Sequence, residues 1–344
     1  MGIKITNVGP VSTIQDAGRT GFMAFGFQAS GAMDKTAFNI ANILVGNDKD
    51  ESAIEMTLVG ISGRFTSDAV IAITGADVSP EINGGSIPRY MAINVKEGDV
   101  LTCSFAKSGC RAYLAVQGGF YLKKVMGSYS TNIKCGIGGY MGRPLKNGDL
   151  LYFNSVSPLT GAIENRKTDI PVPPAFPVEI RAVLGPQDDY FTDGGIAALF
   201  GGEYKVTNDS DRMGIKLDGA AVESKNGVDI ISDGIPLGAI QIPASGKPII
   251  MAADRQTVGG YAKIAVVISS DMPLLAQLKP GDTLTFKRAS LEEAQRAYFD
   301  GIEKINALQA KFGRLIPPPP AAAAKSGVAP QKSIMERIKK LWKG

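Results

Sequence analysis

The chain has 344 residues, 44% of them hydrophobic and 20% charged, with Lys+Arg 37 against Asp+Glu 33 and a formal net charge of +4. That much apolar material excludes a disordered chain, and at about 100–200 residues per domain the length predicts two domains. No run approaches the roughly 20 apolar residues of a membrane-spanning helix, the opening MGIKITNVGP turns polar too early for a secretory signal, and the charge excess is too small to make nucleic acid the main partner.

Along the chain, Asp34 is placed to cap a helix over Lys35–Val45, with Phe38, Ala41, Leu44 and Val45 on one face and Gly46 as terminator. The other apolar segments are short, β-branched and bounded by turn residues, which predicts strands: Ala69–Thr74, Arg111–Val116, Val178–Leu184, Pro248–Ala253 and Lys263–Ser269. With 41 glycines and 20 prolines as punctuation, the body reads as mainly β. Lys96-Glu97-Gly98-Asp99 returns as Lys146-Asn147-Gly148-Asp149 and as Lys279-Pro280-Gly281-Asp282, each entering an apolar strand. Two readings fit: one turn used three times, or two related β-barrels, one per half. Ser290-Leu291-Glu292-Glu293 has capping-box spacing and opens a C-terminal helix over residues 291–315, with Tyr298, Ile302, Ile305, Leu308 and Phe312 at helical intervals. Residues 316–332 form a Pro/Ala-rich linker with nothing to bury. Residues 333–344 read as an amphipathic tail helix carrying the chain's one Trp; it is a docking helix for a partner protein, a weak membrane-surface binder or a frayed end.

Histidine is absent, which removes a Ser-His-Asp triad, a His-ligated metal and an imidazole base. Proton transfer must then use a carboxylate, Lys, Tyr, the substrate or another chain. Cys103, Cys110 and Cys135 are odd in number and lack CxxC spacing, so neither a zinc site nor a disulfide framework is expected, and a reducing cytoplasm suits them.

Three stretches combine turn glycines with polar residues that a fold alone does not require: Gln15-Asp16-Ala17-Gly18-Arg19 with Ser30–Asp34 and Asn42; Asn208–Gly214; and Ser232-Asp233-Gly234 through Gln241 to Asp254–Tyr261 and Lys263. Asp211-Arg212 and Asp254-Arg255 are each either a local ion pair or a guanidinium fork presented to a carboxylate, carbonyl or phosphate. Gly259-Gly260 allows close backbone approach, but nothing here matches GxGxxG or a P-loop.

The runs GPVSTIQDAGRTGF, GFQASGAMDKTAFNIANILVGN, GADV, RAYLAVQGGF, GSYST, GPQDDYFT, SDRMGIKLDG, SDGIPLGAIQIP and ADRQTVGGYAKIAVVISSD occur in order over about residues 3–290. Together they resemble the KipA-type biotin-dependent carboxyltransferase family, which includes the C component of bacterial 5-oxoprolinase and the matching half of the allophanate hydrolase/urea carboxylase carboxyltransferase. The resemblance implies two cyclophilin-like β-barrel subdomains, over residues 1–175 and 176–290, with few short helices. Three positions depart from the family pattern: Tyr129 stands where Arg is usual in GSRST, Lys247 stands before Pro248 where Gln is usual, and Lys216 replaces Arg.

The resemblance also implies an obligate KipI-type companion subunit with a shared reaction site, and three functions. With KipI-type and LamB/YcsF-type subunits, the chain would open 5-oxoproline to glutamate using ATP held at the level of the complex. Alternatively it would move a carboxyl group from biotin to urea or another small amide. With no Met-Lys-Met attachment motif in the chain, biotin would arrive on a separate carrier, with the tail recruiting that carrier or a carboxylase subunit. The third function is non-enzymatic antagonism of a KipI-type regulator. The catalytic candidates are Lys263, Arg255, Asp254, Gln241, Arg212 and Asp211, as donors to a developing oxyanion or as the carboxylates that orient them. The substrate-binding candidates are Gln15, Asp16, Arg19, Ser30, Asp34, Gln256, Thr257, Gly259, Gly260 and Tyr261, and no metal ligand is expected.

Overall fold

The computed structural model of the chain describes residues 1–155, 163–171 and 175–312. The expected architecture, mainly β with few helices, is the one observed. The first half holds two antiparallel sheets. One runs Leu150–Tyr152, Gly2–Asn7, Ser62–Phe65, Val100–Thr102, Glu81–Ile82, Gly85–Ser86 in spatial order; the other runs Val11–Gln15, Ala53–Thr57, Arg111–Val116, Ala69–Gly75, Ala92–Val95. Ile3 and Ile5 point inward while Lys4 between them is exposed, the period-two alternation of a sheet with one dry face. Ile14, Ile54, Leu101 and Leu114 close the same core from both sheets.

Arg111–Val116 is buried at every position because its second face is covered as well. Helix α1 (Lys35–Leu44) lays Phe38, Ala41 and Leu44 against Ala72, Tyr113 and Ala115, and the C-terminal helix α4 (Leu291–Phe312) adds Ile305, Leu308 and Phe312 to that cluster. Both helices start as their sequences dictate. The Ala37 amide donates to Asp34 at 2.9 Å, the Ser290 amide to Glu293 at 2.7 Å and the Glu293 amide to Ser290 Oγ at 3.1 Å, the last two being the reciprocal bonds of a capping box. Gly46, at φ 76°, ends α1 in the left-handed region.

The second half closes into a barrel in the order Val178–Leu184, Lys263–Val267, Ala239–Gln241, Ile249–Met251, Gly214–Gly219, Glu203–Val206, Thr283–Arg288; the first and last strands are parallel and the rest antiparallel. A separate ribbon pairs Asp229–Gly234 with Val258–Tyr261. Helix α2 (Asp193–Gly201) and the short α3 (Met272–Ala276) flank the barrel.

The recurrent Gly-Asp segments fold identically. In each, the lysine amide donates to the aspartate carboxylate (Lys96 to Asp99 2.7 Å, Lys146 to Asp149 2.8 Å, Lys279 to Asp282 2.9 Å), with Gly98, Gly148 and Gly281 at φ 92°, 91° and 96°. Each turn also exchanges two backbone hydrogen bonds with a neighbouring strand, at Phe65, Ile5 and Val206 respectively. Two sit in the first half and one in the barrel, so turn chemistry accounts for the echo without further assumption. The end of the C-terminal helix (313–315), the linker (316–332) and the tail helix (333–344) lie outside the described residues.

Candidate active site

The two halves meet at the segment Ser30–Asp34, which is tied to both. Gly31 donates from its amide to Gln15 Oε1 at 3.1 Å, Met33 to Glu55 Oε2 at 2.9 Å and Asp34 to the Tyr113 hydroxyl at 2.8 Å. From the other half, Arg212 donates through Nε to Asp254 at 2.8 Å, through Nη2 to the Gly31 carbonyl at 2.7 Å and through Nη1 to Glu55. Tyr113 donates to the same Glu55 at 2.8 Å. Gln277, just past α3, donates to Asp34 Oδ2 at 2.7 Å and accepts from the Cys110 and Arg111 amides at 3.0 and 3.1 Å. Burial pushes the Asp34 carboxyl up to about 6, against its hydrogen bonds from Ala37 and Gln277 and with the added repulsion of Glu55. For Arg212, the two adjoining carboxylates outweigh burial and hold the guanidinium firmly charged.

Gln15, Asp16 and Arg19 are committed to a loop. Asp16 accepts from the Gly18 amide at 2.9 Å, the Ser128 hydroxyl at 2.7 Å, the Ser130 hydroxyl at 2.5 Å and the Tyr129 amide at 2.6 Å. Arg19, 1% exposed, donates to the Val125 and Ser130 carbonyls, and Gln15 donates to Thr13 Oγ1 and the Thr131 carbonyl. These residues shape the wall behind Ser30 and leave few polar atoms for a ligand.

Along the seam lies a cavity of about 580 Å³ lined by both halves and by α4; its walls include Ser30, Lys35, Arg255, Ser270, Tyr298 and Ile302. Arg255 is 8% exposed and has no ion-pair partner among the described residues. Its Nε donates to the Ile235 carbonyl at 2.8 Å, while its two Nη atoms reach only the Ala252 carbonyl at 3.5 Å and Met23 Sδ at 3.9 Å. Lys35 enters from the first turn of α1; solvent reaches it through the mouth, yet crowding by protein lowers its pKa below the usual lysine range, with Asp50 opposing the shift and Arg255 adding to it. Lys49 and Asp50, also on the wall, pair at 2.5 Å and largely cancel, leaving the cavity net positive.

A second polar group sits between barrel and ribbon. Lys263, 1% exposed, places its ammonium 3.2 Å from Asp233 of the ribbon, and Gln241 beside it donates to the Tyr261 carbonyl at 3.4 Å. A Cβ on Gly259 would come within 2.6 Å of Ile235 Cδ1 and 3.3 Å of Gln241 Nε2, so the ribbon packs closely on these side-chain ends where it meets the barrel. Gly260 and Thr257 are half-buried in the ribbon and its approach, and Gln256 is exposed.

The structure therefore does not gather the predicted site residues into one hollow. Ser30 and Arg255 reach the seam cavity; Arg212, Asp254 and Asp34 lock the halves beside it; Lys263, Gln241, Gly259, Gly260 and Tyr261 meet at the barrel mouth. Neither Asp-Arg neighbour pair is a local ion pair. Asp211 turns away from Arg212 and accepts from the Met213 and Gly214 amides at 2.7 and 3.1 Å as an exposed turn residue, outside both the seam cavity and the group around Lys263. Asp254 pairs with Arg212 and not with Arg255. Lys35 and Glu55 were not singled out by sequence, though each carried a signal: a cation in the first turn opposes the helix dipole, and Glu55 is the one charge in the buried strand Ala53–Thr57. Of the family departures, Tyr129 lies in the loop that holds Asp16 and Lys247 lies on the barrel surface. Lys247 pairs with Asp218 at 3.0 Å, and Tyr129 receives the Lys124 ammonium 4.8 Å over its ring. The cysteines are all free; burial raises the thiols of Cys103, to about 12, and of Cys110. Among the described residues no His/Cys/Asp/Glu cluster could hold a metal, and no helix is long and apolar enough to cross a membrane.

Known proteins share this geometry's sequence and fold. The C component of the Escherichia coli (strain K12) 5-oxoprolinase is 36% identical over 298 residues, which is 87% of this chain and 94% of that protein. The urea amidolyase of Saccharomyces cerevisiae is 35% identical over 314 residues, 85% of this chain but 17% of that much longer protein. The crystal structure of the K. lactis urea amidolyase superimposes with a TM-score of 0.84 at 31% identity, covering 92% of this chain and 20% of that one. A family model described as carboxyltransferase domain, subdomain A and B, matches residues 25–288, and the chain belongs to that family.

Proposed function

We propose that the chain is the C component of an ATP-dependent 5-oxoprolinase, acting in the cytoplasm with KipI-type and LamB/YcsF-type subunits to hydrolyse 5-oxoproline to glutamate. The observation that carries this reading is the net-positive seam cavity, with Arg255 buried beside it and unpaired, in a chain that matches 94% of the length of the Escherichia coli protein of that name. A lactam bearing a carboxylate offers such a cavity both an anion to hold and a carbonyl oxygen on which charge develops. Arg255 contributes donors at the cavity. Arg212, Asp254 and Asp34 act as positioning residues by fixing the two halves that form its walls. The barrel-mouth group of Lys263, Gln241 and Tyr261, beside the exposed Ile231 and Val258, faces the partner subunit.

ATP belongs to the assembled complex, where it supplies a phosphoryl group for activating an amide carbonyl. The cavity's unpaired cations fit an oxyanion and not a whole nucleotide's recognition, so this chain's share is to bind and orient the small substrate. With no imidazole in the chain, the proton passed to the leaving nitrogen comes from a carboxyl, a lysine, a tyrosine or the partner.

The similarity to urea amidolyases favours one second reading: carboxyl transfer from biotin, delivered on a separate carrier or carboxylase subunit, to urea or another small amide. Copurifying the complex and assaying ATP-dependent glutamate release from 5-oxoproline against biotin-dependent carboxylation of urea separates the two. Glutamate release without biotin is expected; biotin dependence would transfer the assignment to the second reading.

A further inference from the structure

Lys35 and Arg255 belong to different halves of the chain and both line the seam cavity; neither forms an ion pair among the described residues, although Asp50, itself paired with Lys49, also acts on Lys35 across the wall. Burying a guanidinium without a counter-ion is costly, and proteins normally satisfy such a group with an acid or a dense set of carbonyls. Arg255 has one good carbonyl acceptor and two marginal contacts, so most of its fork is unused. Two hydroxyls point the same way: Ser30 and Ser270 both line the cavity, and each has an Oγ shut off from solvent without a hydrogen-bond partner. Ser30 is held at φ 54°, outside the region a serine ordinarily adopts, in the segment tied to both halves. Unused cationic donors and unused hydroxyls on one wall set are what a bound oxyanion would satisfy at once.

We propose that the seam cavity is a carboxylate-binding site in which Lys35 and Arg255 clamp one oxyanion from opposite halves and the Ser30 and Ser270 hydroxyls complete its hydrogen bonds, so that the site selects small amides carrying a carboxylate over neutral ones. The inference deepens the function proposed above and rests on the cavity being the substrate's place. It also gives the two-half architecture a purpose, because neither half alone presents both cations.

The test is calorimetric titration of the full chain with three probes: 5-oxoproline, the neutral lactam 2-pyrrolidinone and inorganic phosphate. Saturable binding of 5-oxoproline is expected, with 2-pyrrolidinone about tenfold weaker or worse. Lys35→Met and Arg255→Gln should each weaken 5-oxoproline by about 10- to 100-fold, the range expected for a charge-assisted contact, and Lys35→Arg should restore most of it. Lys35 is exposed at a helix start, so its variants keep the fold if Arg255→Gln does not. Absent binding of 5-oxoproline, equal binding of the neutral lactam, or an unaffected Lys35→Met overturns the proposal even if the complex turns over 5-oxoproline. Saturable phosphate binding that excludes 5-oxoproline would overturn the carboxylate assignment. Conversely, Lys35-dependent binding in a complex that never releases glutamate would leave the site standing and remove the proposed reaction.

Discussion

Arg212 in the second half reaches Glu55 in an interior strand of the first, and Glu55 accepts in turn from Met33 and Tyr113. The guanidinium is thus a bolt through the seam, with Asp254 on one prong and the Gly31 carbonyl on another. Because every group around it is buried, the bolt matters less for the energy it adds than for what its removal strands.

Arg212→Met should leave Glu55 and Asp254 buried without a cation and cost about 3–5 kcal/mol. The loss should fall on the seam, so differential scanning calorimetry should show one transition splitting into two as the halves melt separately. A single transition with a loss below about 1 kcal/mol would mean the carboxylates find other partners.

Asp34 gives a pH dependence with a defined sign. Its folded pKa is about 6 against an ordinary aspartate value of 3.8, so the folded state holds a proton the unfolded chain has already released between those values. The stability linked to that proton is complete below about pH 4 and is lost as pH rises through about 6, to the extent of about 3 kcal/mol. Asp34→Asn removes the titration. Urea unfolding of both proteins should show wild-type stability falling relative to the variant between pH 4 and pH 7; parallel curves would show that the carboxyl is not shifted.

Much of the frame was legible in the sequence because it is local. Asp34, Gly46 and the Ser290 box act within one helical turn, and the Gly-Asp turns close within four residues. Long-range pairing was not legible. Asp211 and Arg212 are adjacent in sequence, which suggested a unit, but a turn in which Asp211 caps the Met213 amide sends the two side chains apart. The true partners of Arg212 are 157 and 42 residues away, and nothing in the local pattern identifies them. The cavity was half visible for the same reason: Arg255 and Ser30 sit in glycine-rich polar stretches, whereas Lys35 looked like an ordinary helix-surface lysine until the second half was set against it.

Two glycines with almost the same backbone separate strain from collision. Gly31 has φ +93° and a Cβ there would lie 3.0 Å from both Gly18 Cα and N, while Gly98 has φ +92° and opens onto empty space. Gly98→Ala should cost about 1 kcal/mol, the penalty of left-handed backbone alone. Gly31→Ala should cost at least about 1 kcal/mol more and weaken the cavity's ligand binding, since shifting this segment moves Ser30 and the carbonyl that Arg212 holds. Equal losses in thermal melts would show that the loop relaxes freely.

Lys263 distinguishes a working cation from a structural one. It is 1% exposed, yet its one carboxylate partner, Asp233, is 58% exposed at the side chain, an unequal pair in which the buried member bears the desolvation. A lysine there for stability alone would be a poor choice, because an apolar side chain of similar length fills the space without that penalty. Lys263→Met should therefore leave the barrel as stable as wild type or more so, by up to about 3 kcal/mol, in urea unfolding. Asp233, held below the usual carboxylate range first by the Gly234 amide and then by Lys263, should titrate higher by NMR once the lysine is gone. In the reconstituted complex the same variant should bind its partner subunit but turn over substrate more slowly. A destabilised barrel with unchanged turnover would make Lys263 a strut between ribbon and barrel and remove the barrel mouth from the reaction.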